Sequence, residues 1–188
     1  MTSDMPIMPP LGRSIHPAER TIVLVGMMGV GKSTVGRLLA HKLGREFIDS
    51  DEEIERAAGM SIAEMFERFG EQYFRDGERR VLARLIHGSA KVIATGGGAF
   101  INDETRMLIK QTCISVWIDA DIDVLVARVS RKATRPLLVG KDPKVVLREL
   151  GAARNPIYAL ADIRVSSDHA PNLNTTDQIL KALPSCSG

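Results

Sequence analysis

Thr21-Ile-Val-Leu-Val25 runs directly into Gly26-Met-Met-Gly-Val-Gly-Lys32-Ser33-Thr34. The first five residues read as a buried strand, and residues 32–43 carry the period of a helix. Between them lies the spacing G-x-x-x-x-G-K-[ST], placed where a phosphate-binding loop must stand, between strand and helix. Glycines let the backbone curl so that successive N–H groups converge on an anion. Lys32 reaches the β- and γ-phosphates, the Ser33 hydroxyl is a Mg²⁺ ligand, and the helix directs its positive end at the same charge. The junction predicts a nucleoside triphosphate site.

Working outward, short apolar runs alternate with helical patterns. Strands are expected at 21–25, 46–48, 91–94, 113–118 and 163–165. Helices are expected at 32–43, 51–58, 61–86, 103–111, 122–130, 143–161 and 175–183. Such alternation predicts a three-layer α/β/α fold around a five-stranded parallel sheet, with ligands at the carboxyl ends of the strands. Residues 131–142 lack clear periodicity and contain Pro136 and Gly140, which reads as a mobile loop. The expected division is a loose extension over 1–20 and one domain over 21–188.

Composition sets outer bounds. At 188 residues, with 44% hydrophobic and 26% charged residues, the chain suits one soluble globular domain with a substantial core. A net charge of +2 does not suggest a nucleic-acid partner, and no apolar run is long enough for a membrane span. The first twenty residues have no continuous apolar segment of the secretory kind. Cys113 lies in an apolar run and Cys186 near the end, so neither a disulfide framework nor a metal pair is indicated, and a reducing, cytoplasmic setting is expected. Charge is uneven: 46–78 holds eleven acidic residues against three basic, whereas 128–164 holds nine basic against three acidic. The basic segment suits phosphate handling, although most such residues taken singly are solvated surface charges.

Five further stretches carry candidate chemistry. Asp49-Ser-Asp51 ends the second strand, and in an extended chain its two carboxylates point the same way, towards metal and acceptor. The alternative is a helix N-cap at Asp51, and the two are compatible. Phe66 and Phe74 are eight residues apart and share a helical face, with core packing the default. Arg75 adjoins that face, with Glu78 at i+3 to hold its guanidinium, a group that offers a carboxylate two parallel hydrogen bonds. Gly96-Gly97-Gly98 follows the third strand, where absent side chains suit close approach of a ligand. Arg135 in Thr134-Arg-Pro-Leu-Leu138 and Arg154 in Arg154-Asn-Pro-Ile-Tyr158 are either anion ligands or surface charges. Asp119, Asp121 and Asp123 read mainly as helix-start chemistry. Gly77 falls inside an expected helix at a cost of about 1 kcal/mol relative to Ala, without a functional account.

Taken together, G-M-M-G-V-G-K-S-T, D-S-D, F-R-D-G-E, G-G-G, T-R-P-L-L and R-N-P-I-Y resemble, in order and spacing, the shikimate kinases, from about Thr21 to Leu183. The resemblance implies a phosphate-loop NTPase fold of the nucleoside monophosphate kinase type. It implies transfer of the ATP γ-phosphoryl to the 3-hydroxyl of shikimate in aromatic amino-acid biosynthesis, with Mg²⁺ as cofactor and a monomer expected. Gly29, Val30, Gly31, Lys32, Ser33 and Thr34 would wrap the ATP phosphates, and Ser33 would bind the metal with Asp49 assisting through water. Asp51 would bind shikimate hydroxyls and be the candidate base, with Lys32 and Arg135 completing the catalytic set. Arg75 and Arg154 would grip the shikimate carboxylate, Gly97 would offer its N–H, and Phe66 and Phe74 would line the apolar side. Helices over 51–86 would form the acceptor site, Arg135 would close on ATP from a lid over 131–142, and 167–171 would face the adenine.

Other readings are a kinase for another polyol acid such as gluconate, and a non-catalytic module that binds ATP and shikimate. A GTPase switch is disfavoured because no N-K-x-D motif follows the phosphate loop.

Overall fold

Every residue of β1 (Thr21–Val25) is buried, with both faces covered, as a central strand of a parallel sheet requires. The structure is a computed structural model that describes residues 19–130, 142–167 and 172–184. After β1 come α1 (Lys32–Leu43), β2 (Phe47–Asp49), α2 (Ser50–Ala58) and α3 (Ile62–Ile86). The chain continues through β3 (Val92–Ala94), a 3₁₀ turn (Ala99–Ile101), α4 (Asp103–Thr112), β4 (Cys113–Asp119) and α5 (Ile122–Val129). It ends with α6 (Pro143–Tyr158), β5 (Ile163–Ser166) and α7 (Asn172–Ala182). Residues 1–18 of the expected extension, 131–141 of the expected lid with Arg135, 168–171 and Cys186 lie outside the described residues.

All five strands are parallel, in the order β2-β3-β1-β4-β5. The chain leaves β1 for the β2 side, returns through β3, then passes to β4 on the other flank, which makes β1 the switch point where parallel sheets open a crevice. Register places the site. Leu24 pairs with Ala94 and Val25 with Trp117, so the residues after β1, β3 and β4 emerge side by side. Thr95 fastens this edge by donating its N–H and hydroxyl to Leu24 O at 3.2 and 2.9 Å. On one face Gly36 of α1 lies so close to the sheet that a Cβ there would stand 3.0 Å from Phe47 Cδ2 and 3.2 Å from Leu24 Cδ1. Among the described residues no helix is long and apolar enough to cross a membrane.

The strand and helix pattern follows the sequence expectation with ends displaced by a few residues, but the helix expected over 61–86 is not continuous. A Ser61–Glu64 capping box starts it. It breaks at Gly70, which adopts φ 78° and ψ 175°, a region open in practice only to glycine. The break turns the chain so that the Phe66 and Phe74 rings meet with centroids 4.8 Å apart. Their contact is made across a bend rather than along one helical stripe. Gly77, in contrast, sits in regular helix, and a Cβ there would meet nothing within 4 Å.

These two glycines give opposite expectations. Gly77→Ala should stabilise by about 1 kcal/mol, since it removes backbone freedom from the unfolded chain without a clash, and raise Tm by about 2–4 °C. Gly70→Ala should cost about 1–3 kcal/mol. Thermal denaturation of both variants checks the pair, and a loss of stability in Gly77→Ala would contradict the open site seen at that position.

Candidate active site

The phosphate loop turns through Gly26, Gly29 and Gly31, with φ of 135°, 83° and 94°. Gly31 is the N-cap of α1, and Thr34 lies in the first turn of that helix. Val30 is buried beneath the loop. Lys32 reaches back over the loop and donates from Nζ to the carbonyls of Gly26 and Met27, each at 2.8 Å. Ser33 Oγ donates to Asp49 Oδ2 at 2.6 Å.

Asp49 and Asp51 do not lie along an extended chain as expected. Asp49 is itself the N-cap, its Oδ1 accepting from Asp51 N at 3.1 Å, and α2 begins at Ser50. Three acidic residues in the first turn favour that start, since they face the positive end of the helix. The two carboxylates part: Asp49 faces Ser33 and Asp51 faces the turn after β3. Among the described residues no group of three or more His, Cys, Asp or Glu could hold a metal ion. A serine hydroxyl and one carboxylate at the loop nevertheless fit Mg²⁺, which takes one or two protein ligands and completes its shell with water and phosphate oxygens.

All six expected acceptor residues, Asp51, Phe66, Phe74, Arg75, Gly97 and Arg154, line one cleft of about 130 Å³ beside the phosphate loop. Met28, Ile62, Glu78, Gly96 and Gly98 complete its wall. A second opening of about 230 Å³ adjoins it and shares Arg75, Gly98 and Arg154.

The three glycines each clear space for a different group. A Cβ on Gly96 would stand 2.8 Å from Asp51 Oδ1 and 3.1 Å from Glu78 Oε1. One on Gly97 would stand 3.6 Å from Arg154 Nη1 and from Met28 N. One on Gly98 would fall within 2.6 Å of Arg75 Cζ. Charge therefore changes sign along the turn, from carboxylates at its start to guanidinium groups at its end. Tyr158, wholly buried, fixes the middle by donating its hydroxyl to Gly97 O.

Arg75 Nη1 donates to Glu78 Oε2 at 2.7 Å, as the i+3 spacing anticipates, and Nη2 reaches the exposed Glu71 at 3.2 Å. The guanidinium also lies 5.0 Å from the Phe74 ring centroid. The second oxygen of Glu78 and Oδ1 of Asp51 are both shut off from solvent with no hydrogen-bond partner among the described residues. Burial, then the Asp49 and Glu78 charges, push the Asp51 carboxyl from its ordinary 3.8 up to about 6. Burial also raises Glu78, against the opposing pull of Arg75.

The i+3 spacing assigns Glu78 only the support of Arg75. It was legible as more, because Glu78 falls on the apolar stripe Phe74, Val81, Leu82 and Leu85, where a lone carboxylate has no packing reason to be. Tyr158 and Met28 stand within the motifs, and nothing in their spacing assigns either a role.

The Asp51 carboxylate works against the fold at neutral pH. Its folded pKa near 6 lies above the unfolded value, so its contribution to stability is greatest below pH 4 and is lost as pH rises towards 6. Asp51→Asn should flatten the stability profile between about pH 4 and 6 and raise Tm at pH 7.5, by an amount equivalent to about 3 kcal/mol at most. Thermal denaturation across that pH range reads both effects. A fall in Tm at pH 7.5 would show that the carboxylate is compensated after all.

A shikimate kinase family model matches residues 28–184. A shikimate kinase of Zymomonas mobilis is 53% identical over 168 residues, which is 89% of this chain and 96% of that protein. One from Caulobacter vibrioides is 56% identical over 164 residues, covering 87% and 82%. Among solved structures, the shikimate kinase of Acinetobacter baumannii in complex with shikimate matches with a TM-score of 0.83 at 41% identity, covering 87% of this chain and 92% of that one. The agreement runs from the phosphate loop through the last helix, and the chain belongs to the shikimate kinase family.

Proposed function

We propose that this chain transfers the γ-phosphoryl group of ATP to the 3-hydroxyl of shikimate, giving shikimate 3-phosphate and ADP. The observation that carries the reading is the polarity of the 96–98 turn beside the phosphate loop, which runs from buried carboxylates at the Gly96 end, past Arg154 at Gly97, to Arg75 at the Gly98 end. Two peptide units separate those ends, at most about 7 Å of chain. That is the scale of a six-membered ring carrying a carboxylate on one side and hydroxyls on the other. A longer open-chain acid such as gluconate matches the spacing less well.

In this reading Arg75 and Arg154 take the shikimate carboxylate. Glu71 now holds the outer edge of Arg75, and an exposed ion pair of this kind is worth about 1 kcal/mol or less, so an incoming carboxylate displaces it readily. Glu78, being buried, stays and keeps the guanidinium plane in place. Phe66 and Phe74 cover the apolar side of the ring, and Gly97 presents its backbone.

At the other end the Asp51 carboxylate, which lines the cleft, accepts a hydrogen bond from the reacting hydroxyl. Phosphoryl transfer through a loose transition state depends on alignment and charge stabilisation more than on a strong base. Asp51 therefore mainly orients the hydroxyl and accepts its proton late. Gly29 to Thr34 enclose the ATP phosphates, and Lys32 leaves its two loop carbonyls for the phosphate oxygens. Ser33, with Asp49 acting through water, holds Mg²⁺, which when bound neutralises charge on the β- and γ-phosphates. Arg135 is assigned the role of closing on ATP.

Release of ADP by the purified protein with Mg²⁺-ATP, compared across shikimate, quinate, gluconate and no acceptor, tests the reading. Turnover confined to shikimate is expected. Turnover with gluconate would reassign the acceptor, and none at all would leave a binding module.

Two substitutions divide the roles. Arg75→Lys should raise KM for shikimate at least tenfold while leaving that for ATP nearly unchanged, because a planar two-point contact is lost. An equal rise in both would remove Arg75 from the carboxylate. Asp51→Asn should cut kcat by at least about a hundredfold with ATP affinity retained, and near-normal kcat would remove it from the reaction.

A further inference from the structure

The phosphate loop is held from behind as well as from within. The carbonyl of Val30 accepts from Arg128 Nη1 and from Ser167 Oγ, each at 3.1 Å, and Arg128 Nη1 also donates to Ser167 Oγ at 3.0 Å. The three groups close a ring joining the loop to the last turn of α5 and to the residue after β5. Ser167 is 1% exposed, and its N–H is fixed on Asp119 O at 2.6 Å. The same turn of α5 presses on the loop one residue earlier. A Cβ on Gly29 would stand 2.9 Å from Val129 Cγ1 and 3.8 Å from Leu125 O. Neither Arg128 nor Ser167 lines the acceptor cleft.

A trans peptide unit is planar, with its C=O and N–H pointing in opposite directions. Anchoring the Val30 carbonyl therefore also sets the direction of the Gly31 N–H, one of the loop amides available to a phosphate oxygen. Gly31 takes φ 94°, in a region where a glycine swings freely unless something holds the adjoining plane.

We propose that Arg128 and Ser167 are positioning residues for phosphate binding, which clamp the Val30–Gly31 peptide so that the Gly31 amide is set before the nucleotide arrives. Preorganised donors cost no rearrangement on binding, whereas a peptide free to rotate gives up part of its interaction energy in ordering. The proposal rests on the ATP-dependent reading of this site.

The test uses the full-length chain and measures binding rather than turnover, so it reports on the clamp even if the wild-type protein phosphorylates no shikimate. Dissociation constants for ADP, for inorganic tripolyphosphate and for shikimate are compared in wild type, Ser167→Ala and Ser167→Thr. Tripolyphosphate carries no base or sugar, and it separates an effect on the phosphate loop from one on the nucleoside end. In Ser167→Ala, ADP and tripolyphosphate should weaken by the same factor, about fivefold to tenfold, as expected for one buried hydrogen bond. Shikimate affinity should stay unchanged, and Ser167→Thr, which restores the hydroxyl, should recover both anions. Weakening of ADP alone would place Ser167 at the nucleoside and overturn the proposal, as would no change in either. Should Ser167→Ala fail to fold, Arg128→Gln enters the same comparison, and equal loss of both anions is again the supporting result.

Discussion

Two carboxylates and a guanidinium meet over a turn of three glycines, and the acceptor side of the molecule is arranged around that encounter. Asp51 Oδ1 and Glu78 Oε1 approach the same point above Gly96, where any side chain would collide with the nearer of them at 2.8 Å. Like charges brought this close out of water repel and lose hydration. Arg75 offsets this for Glu78 through a bond of 2.7 Å, whereas the Lys32 charge counters it only in part for Asp51, whose carboxyl stays raised. The Gly70 bend has a place in the same arrangement, because it lets Phe66 fold over Phe74 and close the apolar wall beside Arg75. Tyr158 reaches from α6 to secure the Gly97 carbonyl, tying the helix that bears Arg154 to the turn that bears no side chains.

Much of the fold was readable because its signals are local. A strand, a glycine turn and a helix in direct succession specify a phosphate loop without reference to the rest of the chain, and alternating periodicities imply a parallel sheet. Strand order was not readable, since it depends on which crossover packs against which face. The bend at Gly70 was concealed by helical periodicity on both sides, and glycine in a helix is equally consistent with a tolerated loss of propensity, as Gly77 shows. The helix cap expected at Asp51 falls at Asp49 for a related reason: a carboxylate before Ser50 and three acidic residues is both a strand end and a cap, and capping turns Asp51 away from it.

The site residues divide in the same manner. Asp51, Arg75, Gly97 and Arg154 were found from motif order, and the structure gathers them into one cleft although they lie on α2, α3, the β3 edge and α6. The ring of Val30, Arg128 and Ser167 left no local trace. Its members are separated by 98 and 137 positions, and a serine after a strand or an arginine in a helix is unremarkable in sequence. What makes them informative is the carbonyl they share. Backbone acceptors inside a phosphate loop are invisible to residue-type reasoning, yet the orientation of each carbonyl determines that of the next amide.

The two halves of the site thus solve opposite electrostatic problems. On the acceptor side, charged side chains are buried before any ligand arrives, and the folded state bears the cost as an elevated Asp51 pKa. On the nucleotide side the concave surface is built from amides, and Lys32 is kept near it by the loop's own carbonyls at 2.8 Å. Neutral amides suit a strongly charged anion, since they can be fixed in place without mutual repulsion. A small hydroxy acid with a single negative charge offers less binding energy, and its orientation has to come from fixed charges of opposite sign at its two ends. The sheet reconciles these requirements by placing the amide loop after β1 and the glycine turn after β3. Those strands are paired in register, so the two surfaces spring from the sheet one strand spacing, about 4.8 Å, apart.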